Sequence, residues 1–319
     1  MNLPSPNERP KILYITGWGR SGTTIVDNTL GEIDGFFSAG ELSYLWSRGL
    51  LQNFRCGCGE PLRGCPVWKK VLASPFGRST IGDLDPRQIV EWQREALRIR
   101  HTWRVLRAGD RPAARSPRLT AYASLLAAVY QAIQEVTGAR VVIDSSKRPS
   151  GAALLGMLPD VDAYVVHMVR DPRAVAYSWQ RKKLQPGFGD DRSMLVHSSW
   201  TSTAHWMVWN AAATAVRRDL PRSLLVRYED FVAAPRQTIA SIASFAGESP
   251  LELPFDDERT VRLGTNHTVS GNPSRFRTGP VEIRRDDEWI GAQHAKDRFA
   301  VTSLALASMH TYGYRIRTS

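Results

Sequence analysis

Four short runs of apolar and β-branched residues punctuate the chain, at 11–16, 140–144, 163–169 and 223–228. Each is nearly continuous in apolar side chains rather than alternating. That is the pattern of strands covered on both faces, as in a parallel sheet. A further strand is expected at 35–39. Between and beyond these runs, apolar positions recur at helical spacing from Thr23 to Ile33 and near 119–137, 173–183, 197–219, 236–246 and 295–310. Gly138 stands where a glycine stops the 119–137 helix. Strands alternating with helices predict a doubly wound α/β fold, with ligands at the carboxyl ends of the strands.

Residues 45–118 break the alternation. Asp85-Pro86, a cap followed by a proline at the first helical position, opens one long helix. Along it Ile89, Trp92, Ala96, Ile99, Trp103 and Leu106 form a narrow apolar seam. Arg94, Arg98, Arg100, Arg104 and Arg107 fill much of the remainder. The expectation is one domain over 10–319, with 45–118 as a helical insertion or cap packed over the sheet. A dimer seam, giving a homodimer, and an acceptor-binding lid are the alternatives for that helix. Residues 1–9 read as a disordered tail.

Composition adds bounds. Hydrophobic content of 42% and charged content of 23% are those of a globular protein. No apolar run approaches the length of a membrane span, and the N-terminus has no apolar signal core, so a cytoplasmic protein is expected. The formal charge of +11 fits a polyanionic ligand or a generally basic surface. Basic and aromatic residues do not interleave as in a single-strand-binding groove, which argues against nucleic acid as a partner. The three cysteines, Cys56, Cys58 and Cys65, fall in one short stretch. An odd number argues against a disulfide framework. They could hold a soft metal if a histidine or carboxylate joined from elsewhere. No local partner has metal-ligand spacing, so a turn with reduced thiols is expected and no metal is assigned.

Residues 10–24 carry the most chemical information. A strand runs into Gly17-Trp18-Gly19-Arg20-Ser21-Gly22-Thr23-Thr24, and a helix follows. Backbone N–H groups at such a helix start, with the helix dipole, make an anion site. The spacing matches the phosphate-loop pattern G-x-x-x-x-G-K-[ST] except that Thr23 replaces the lysine. That lysine reaches the β/γ-phosphates, so its loss argues against a nucleoside triphosphate. Arg20 supplies a cation within the loop. At the end of the 163–169 strand, Arg170-Asp171-Pro172-Arg173 begins a helix that carries Ser178 about two turns in. An arginine and a hydroxyl so placed can hold a second phosphate.

Together these motifs resemble those of sulfotransferases that use 3′-phosphoadenosine 5′-phosphosulfate (PAPS). Gly19-Arg20-Ser21-Gly22-Thr23-Thr24 is similar to the family's 5′-phosphosulfate loop, and Arg170 through Ser178 to its 3′-phosphate motif. More loosely, Leu225-Val-Arg-Tyr228 resembles the strand beside the adenine, with Tyr228 as the aromatic. Asn272-Pro-Ser-Arg275-Phe-Arg277-Thr-Gly279, followed by Trp289, resembles the loop that closes over the nucleotide. The likeness spans about residues 10–290. Arg20-Ser-Gly-Thr-Thr24 and Asp144-Ser-Ser-Lys147 bring it nearer the carbohydrate and tyrosyl-protein branch than the aryl branch. The resemblance implies a P-loop-like three-layer α/β sandwich with a mostly parallel sheet.

Sulfuryl transfer needs a base for the acceptor proton and a cation at the bridging oxygen. A metal is not required. The resemblance implies Glu41 as the base, in Ala39-Gly40-Glu41, with His101, His205 and His267 as rivals. It implies Lys147 as the cation, aided by Arg20. Lys182, one turn past Ser178, joins the 3′-phosphate contacts. Asp144 reads as a structural hydrogen-bond acceptor. Trp200, Trp206 and Trp209 read as core, or as a wall for a sugar or ring. The reaction implied is transfer from PAPS to an acceptor hydroxyl on a sugar, lipid, natural product or tyrosine, leaving 3′-phosphoadenosine 5′-phosphate (PAP). A kinase-like phosphotransferase using ATP and magnesium, and a non-catalytic nucleotide-binding module, are the alternatives.

Overall fold

The computed structural model of the chain describes residues 9–74, 85–111, 113, 115–181, 195–248 and 252–316. Its centre is a five-stranded, wholly parallel sheet in the order β2-β3-β1-β4-β5. The strands are β1 (Lys11–Thr16), β2 (Phe36–Gly40), β3 (Val141–Lys147), β4 (Asp162–Val169) and β5 (Ser223–Arg227). All five fall where the apolar runs predict. Their continuous hydrophobicity has the expected cause, because side chains on both faces are covered. Along β1, Ile12 and Tyr14 enter one core and Leu13 and Ile15 the other. Along β3, Val142 faces the first core, while Val141 and Ile143 face the second. A sheet sandwiched between helical layers is the three-layer α/β architecture the motifs imply.

The helices end where local chemistry dictates. Pro117–Thr137 is capped by Ser116, whose hydroxyl accepts from Leu119 N–H, and stops at Gly138 with φ 68°. Pro172–Gln180 is capped by Asp171, which accepts from Arg173 N–H. Asp85 caps the helix at Pro86 as the sequence predicts. That helix is not one long rod, however. It runs only to Ala96, and a second begins at Thr102 after a 3₁₀ turn. Arg98 is extended, with ψ 136°, which ends the first helix. The break divides the seam: Ile89, Ala96 and Leu106 are buried, but Trp103 is 59% exposed.

The late region adds strands outside the expectation. β6 (Thr260–Leu263) and β7 (Gly279–Glu282) form a small antiparallel pair. Each strand has four residues, too few for a periodic signal to emerge. The 264–278 connection between them returns to the main sheet, where Val269 N–H donates to Ala39 O and Glu41 N–H to Ser270 O.

Candidate active site

The carboxyl ends of all five parallel strands supply the site. β1 leads through Gly17–Gly22 into α1 (Thr23–Gly31). Gly17 has φ 145°, and a Cβ there would lie 2.2 Å from Met168 O. Gly22 has φ 83°, and a Cβ there would lie 2.4 Å from the Tyr228 ring. Both positions therefore need glycine, for conformation and for space. Arg20 takes φ 70° and lays its guanidinium 4.9 Å over Trp179. The hydroxyl of Ser21 is buried without a hydrogen-bond partner among the described residues.

Lys147 closes β3 beside this loop, three residues past the strand end expected at Asp144. Its φ of 67° is unusual for a residue with a side chain. The conformation is held by its carbonyl, which accepts from Gly17 N–H at 3.2 Å, Thr16 Oγ1 at 3.0 Å and Trp209 Nε1 at 2.9 Å. Its ammonium forms an ion pair with the Glu41 carboxylate, which follows β2. Burial pushes the Glu41 carboxyl up, but Lys147, Arg48 and Arg275 outweigh it and hold the group below the usual carboxylate range. Arg48 rides on the π-helical turn Leu45–Leu51, donates to Ser270 Oγ and stacks 3.8 Å over Tyr44. No sequence signal marks Arg48, because its place depends on that irregular turn.

Beneath the pair lie two buried carboxyls. Asp144 accepts from Tyr130 OH at 2.8 Å and from Ser146 N–H at 2.9 Å, a hydrogen-bond acceptor as expected. Asp27 accepts from the hydroxyls of Ser38 and Ser145.

Arg170 follows β4. Its guanidinium lies 4.3 Å over Tyr228, donates to Arg20 O, and pairs with Asp286 at 3.1 Å. Tyr228 follows β5, with its ring against Gly22. Ser178 is buried on the helix after Arg170. Arg170, Arg173, Arg227, Tyr228, Arg285 and Trp289 help line a cleft of about 350 Å³. Asp286 and its neighbours in the acidic-basic run 284–287 carry no readable motif, so the Arg170 partner is invisible in the sequence.

The late loop is only partly brought in. Gly271 lies near Thr24, with a would-be Cβ 3.9 Å from Thr24 Cγ2. The buried Arg275 instead donates to Thr268 O, Thr268 Oγ1 and Arg55 O. Arg277 is exposed, and Gly279 opens β7 with φ 84°. Lys182 lies outside the described residues, as does the 185–192 loop.

The rival bases separate. His101 faces Glu95 O. His205 stacks 5.1 Å from Trp18 of the glycine loop. His267 turns its Nδ1 to Cys65 Sγ at 3.3 Å and Cys56 Sγ at 3.9 Å. Burial pushes both thiols up, against backbone N–H groups that pull down: Cys58 on Cys56, and Trp68 and Val67 on Cys65. Of the tryptophans, Trp206 is core, Trp200 is 62% exposed, and Trp209 stands 4.9 Å from Trp18. Trp179 and His197 complete that aromatic group.

A phosphate-type loop at the head of a parallel sheet, with arginines from neighbouring strands around it, has the make-up of an anion site. The sequence profile of the sulfotransferase family matches residues 10–257, and the chain belongs to that family. No curated protein matches the sequence. Among solved structures, it is similar to the sulfotransferase domain from the curacin biosynthetic pathway, at 18% identity and TM-score 0.57, covering 97% of this chain and 100% of that one. It is also similar to the sulfotransferase domain of the Synechococcus PCC 7002 olefin synthase, at 21% identity and TM-score 0.50, covering 98% of each. At such identities the likeness concerns the fold. Among the described residues, no helix is long and apolar enough to cross a membrane.

Proposed function

We propose that the chain transfers a sulfuryl group from PAPS to the hydroxyl of a small-molecule, glycan or lipid acceptor, with Glu41 as general base. The observation that carries this reading is the Glu41–Lys147 pair beside the glycine loop. A base and a cation stand together at the strand ends where ligands of such folds bind. In this reading Gly19 to Thr24 hold the 5′-phosphosulfate. Arg170 and Ser178 hold the 3′-phosphate, and Asp286 gives up Arg170 to it. Tyr228 lies along the adenine. The unit spans 10–319, with 45–118 as its cap, and needs no metal for the chemistry.

The acceptor oxygen attacks sulfur in line while its proton passes to the Glu41 carboxylate. The bond from sulfur to the bridging oxygen breaks, and its electron pair leaves on PAP. Lys147 and Arg20 stabilise the charge that grows on that oxygen. The ion pair has a consequence for the base. With Lys147 on it, Glu41 is a weak acceptor of protons; when the ammonium turns to the bridging oxygen, burial raises the basicity of Glu41. Trp18, Trp179, His205 and Trp209 offer the acceptor an apolar wall.

Calorimetry with PAP in the absence of magnesium tests the donor. Saturable binding is expected. Binding of ATP with magnesium, and none of PAP, would overturn the assignment in favour of a phosphotransferase. A panel of hydroxyl acceptors with labelled PAPS then identifies the acceptor class.

A further inference from the structure

Cys56, Cys58 and Cys65 share one turn, and His267 arrives from 202 residues beyond Cys65. The three sulfurs and an imidazole nitrogen all lie within 4.8 Å of one another. The thiols are free. In a tetrahedral zinc site, with Zn–S about 2.3 Å and Zn–N about 2.0 Å, the S···N edge is about 3.5 Å. The two distances from His267 Nδ1, 3.3 and 3.9 Å, lie on either side of that value.

We propose that Cys56, Cys58, Cys65 and His267 Nδ1 bind one structural zinc ion. Three thiolates and an imidazole are a soft, closed, four-ligand set, which selects zinc and leaves no position for substrate. Binding releases the three thiol protons and leaves the complex with one net negative charge.

Two features around the cluster suit it. First, the ligand segments are docked by backbone. Gly57 N–H donates to Thr268 O at 3.0 Å, and Trp68 Nε1 donates to His267 O at 2.7 Å. A Cβ on Gly57 would lie 1.9 Å from Asn266 Oδ1, so the glycine between the first two cysteines is what lets the histidine segment approach. Second, the buried Arg275 guanidinium bridges Arg55 O and Thr268 O, one residue from a ligand on each side. Its hydrogen-bond acceptors are all neutral, and the anionic zinc complex supplies a counter-charge beside it. The ion thereby pins the 266–270 strap, which holds Glu41 N–H through Ser270 O.

The test is metal content of the full chain, independent of activity. Purified under reducing conditions from cells grown with zinc, it should carry one zinc per chain by native mass spectrometry, lost on denaturation. Refolding with cobalt should give thiolate-to-cobalt charge-transfer and tetrahedral d–d absorption. Cys58→Ser and His267→Ala should each lose stoichiometric zinc. Chelation should lower the Tm of the unaltered protein and leave that of any folded variant unmoved. A chain with no stoichiometric metal and no cobalt spectrum overturns the site, as does a Cys56–Cys65 disulfide. So does stoichiometric zinc retained in both the Cys58→Ser and the His267→Ala variant. If a variant does not fold, the cobalt spectrum of the unaltered chain still decides.

Discussion

The Lys147 ammonium sits directly on the Glu41 carboxylate, joining the ends of two adjacent strands, β3 and β2. Both side chains are largely buried, 17% and 13% exposed, so the pair is shielded from solvent. Glu41→Gln keeps the shape and removes the proton acceptor. It should cut kcat by roughly 100-fold or more while leaving PAP affinity unchanged. Activity close to that of the unaltered chain would assign the base elsewhere, with His205 beside the loop the next candidate.

The same pair sets the acid limb of the pH–rate profile. The cations around Glu41 hold its pKa below the ordinary carboxylate value. The acid limb of kcat/KM should therefore fall below the usual carboxylate range. Lys147→Met removes the first of those cations and leaves the burial. The limb should then move to higher pH, with a lower maximum rate. A variant with an unmoved limb would show that Glu41 is not the titrating group.

Arg170 is held by Asp286 at 3.1 Å, and the two are unequal in exposure, 7% against 43%. An exposed carboxylate is easily displaced, whereas the arginine is fixed by Tyr228 and Arg20 O. Arg170→Ala should weaken PAP binding by about 1.5–3 kcal/mol, the scale of a charged hydrogen bond. Asp286→Asn should tighten it, because the competing anion is gone. Calorimetry reads both, and equal affinities across the three proteins would reject the 3′-phosphate role.

The contrast between Arg170 and Arg275 shows what a sequence carries. Strands buried on both faces announce themselves by unbroken hydrophobicity, and the glycine loop by spacing, because both are local. Glu41 and Lys147 are adjacent because β2 and β3 are, which follows once the strand order is known. Arg275 stands in a looser motif, and its guanidinium turns to Arg55 and Thr268. That choice depends on a turn 220 residues earlier. His267 illustrates the same point. The cysteine spacing suggests an absent fourth partner, but no periodicity names a residue so distant in the chain.

Gly17 and Gly22 differ in what opposes a side chain. At Gly17 the obstacle is the Met168 carbonyl, part of β4 and immovable without disturbing the sheet. At Gly22 it is the Tyr228 ring, which can rotate. Gly17→Ala should lower Tm more than Gly22→Ala, with a loss of about 1–3 kcal/mol or more. Gly22→Ala should act chiefly on nucleotide affinity, by displacing Tyr228. Thermal denaturation with and without PAP separates the two, and the reverse order of Tm would refute the packing argument.

Asp27 lies under the site in α1, between the hydroxyls of Ser38 and Ser145. Burial raises its pKa to about 7, against the opposing effect of those hydrogen bonds and of Lys147. In the unfolded chain the value is about 3.9. Between these values the folded state binds more protons than the unfolded one. Its contribution to stability is therefore complete below about pH 3.9 and declines as pH rises through about 7, with a slope of at most about 1.4 kcal/mol per pH unit. Asp144, raised to about 6, acts with the same sign over a narrower window. Asp27→Asn keeps a carbonyl for one serine and offers an N–H to the other. Urea denaturation across a pH series should show the variant gaining on the unaltered chain steadily from pH 4 to 7, then holding a constant lead. A difference independent of pH would mean that Asp27 is already ionised in the fold, with Lys147 as its effective counter-charge.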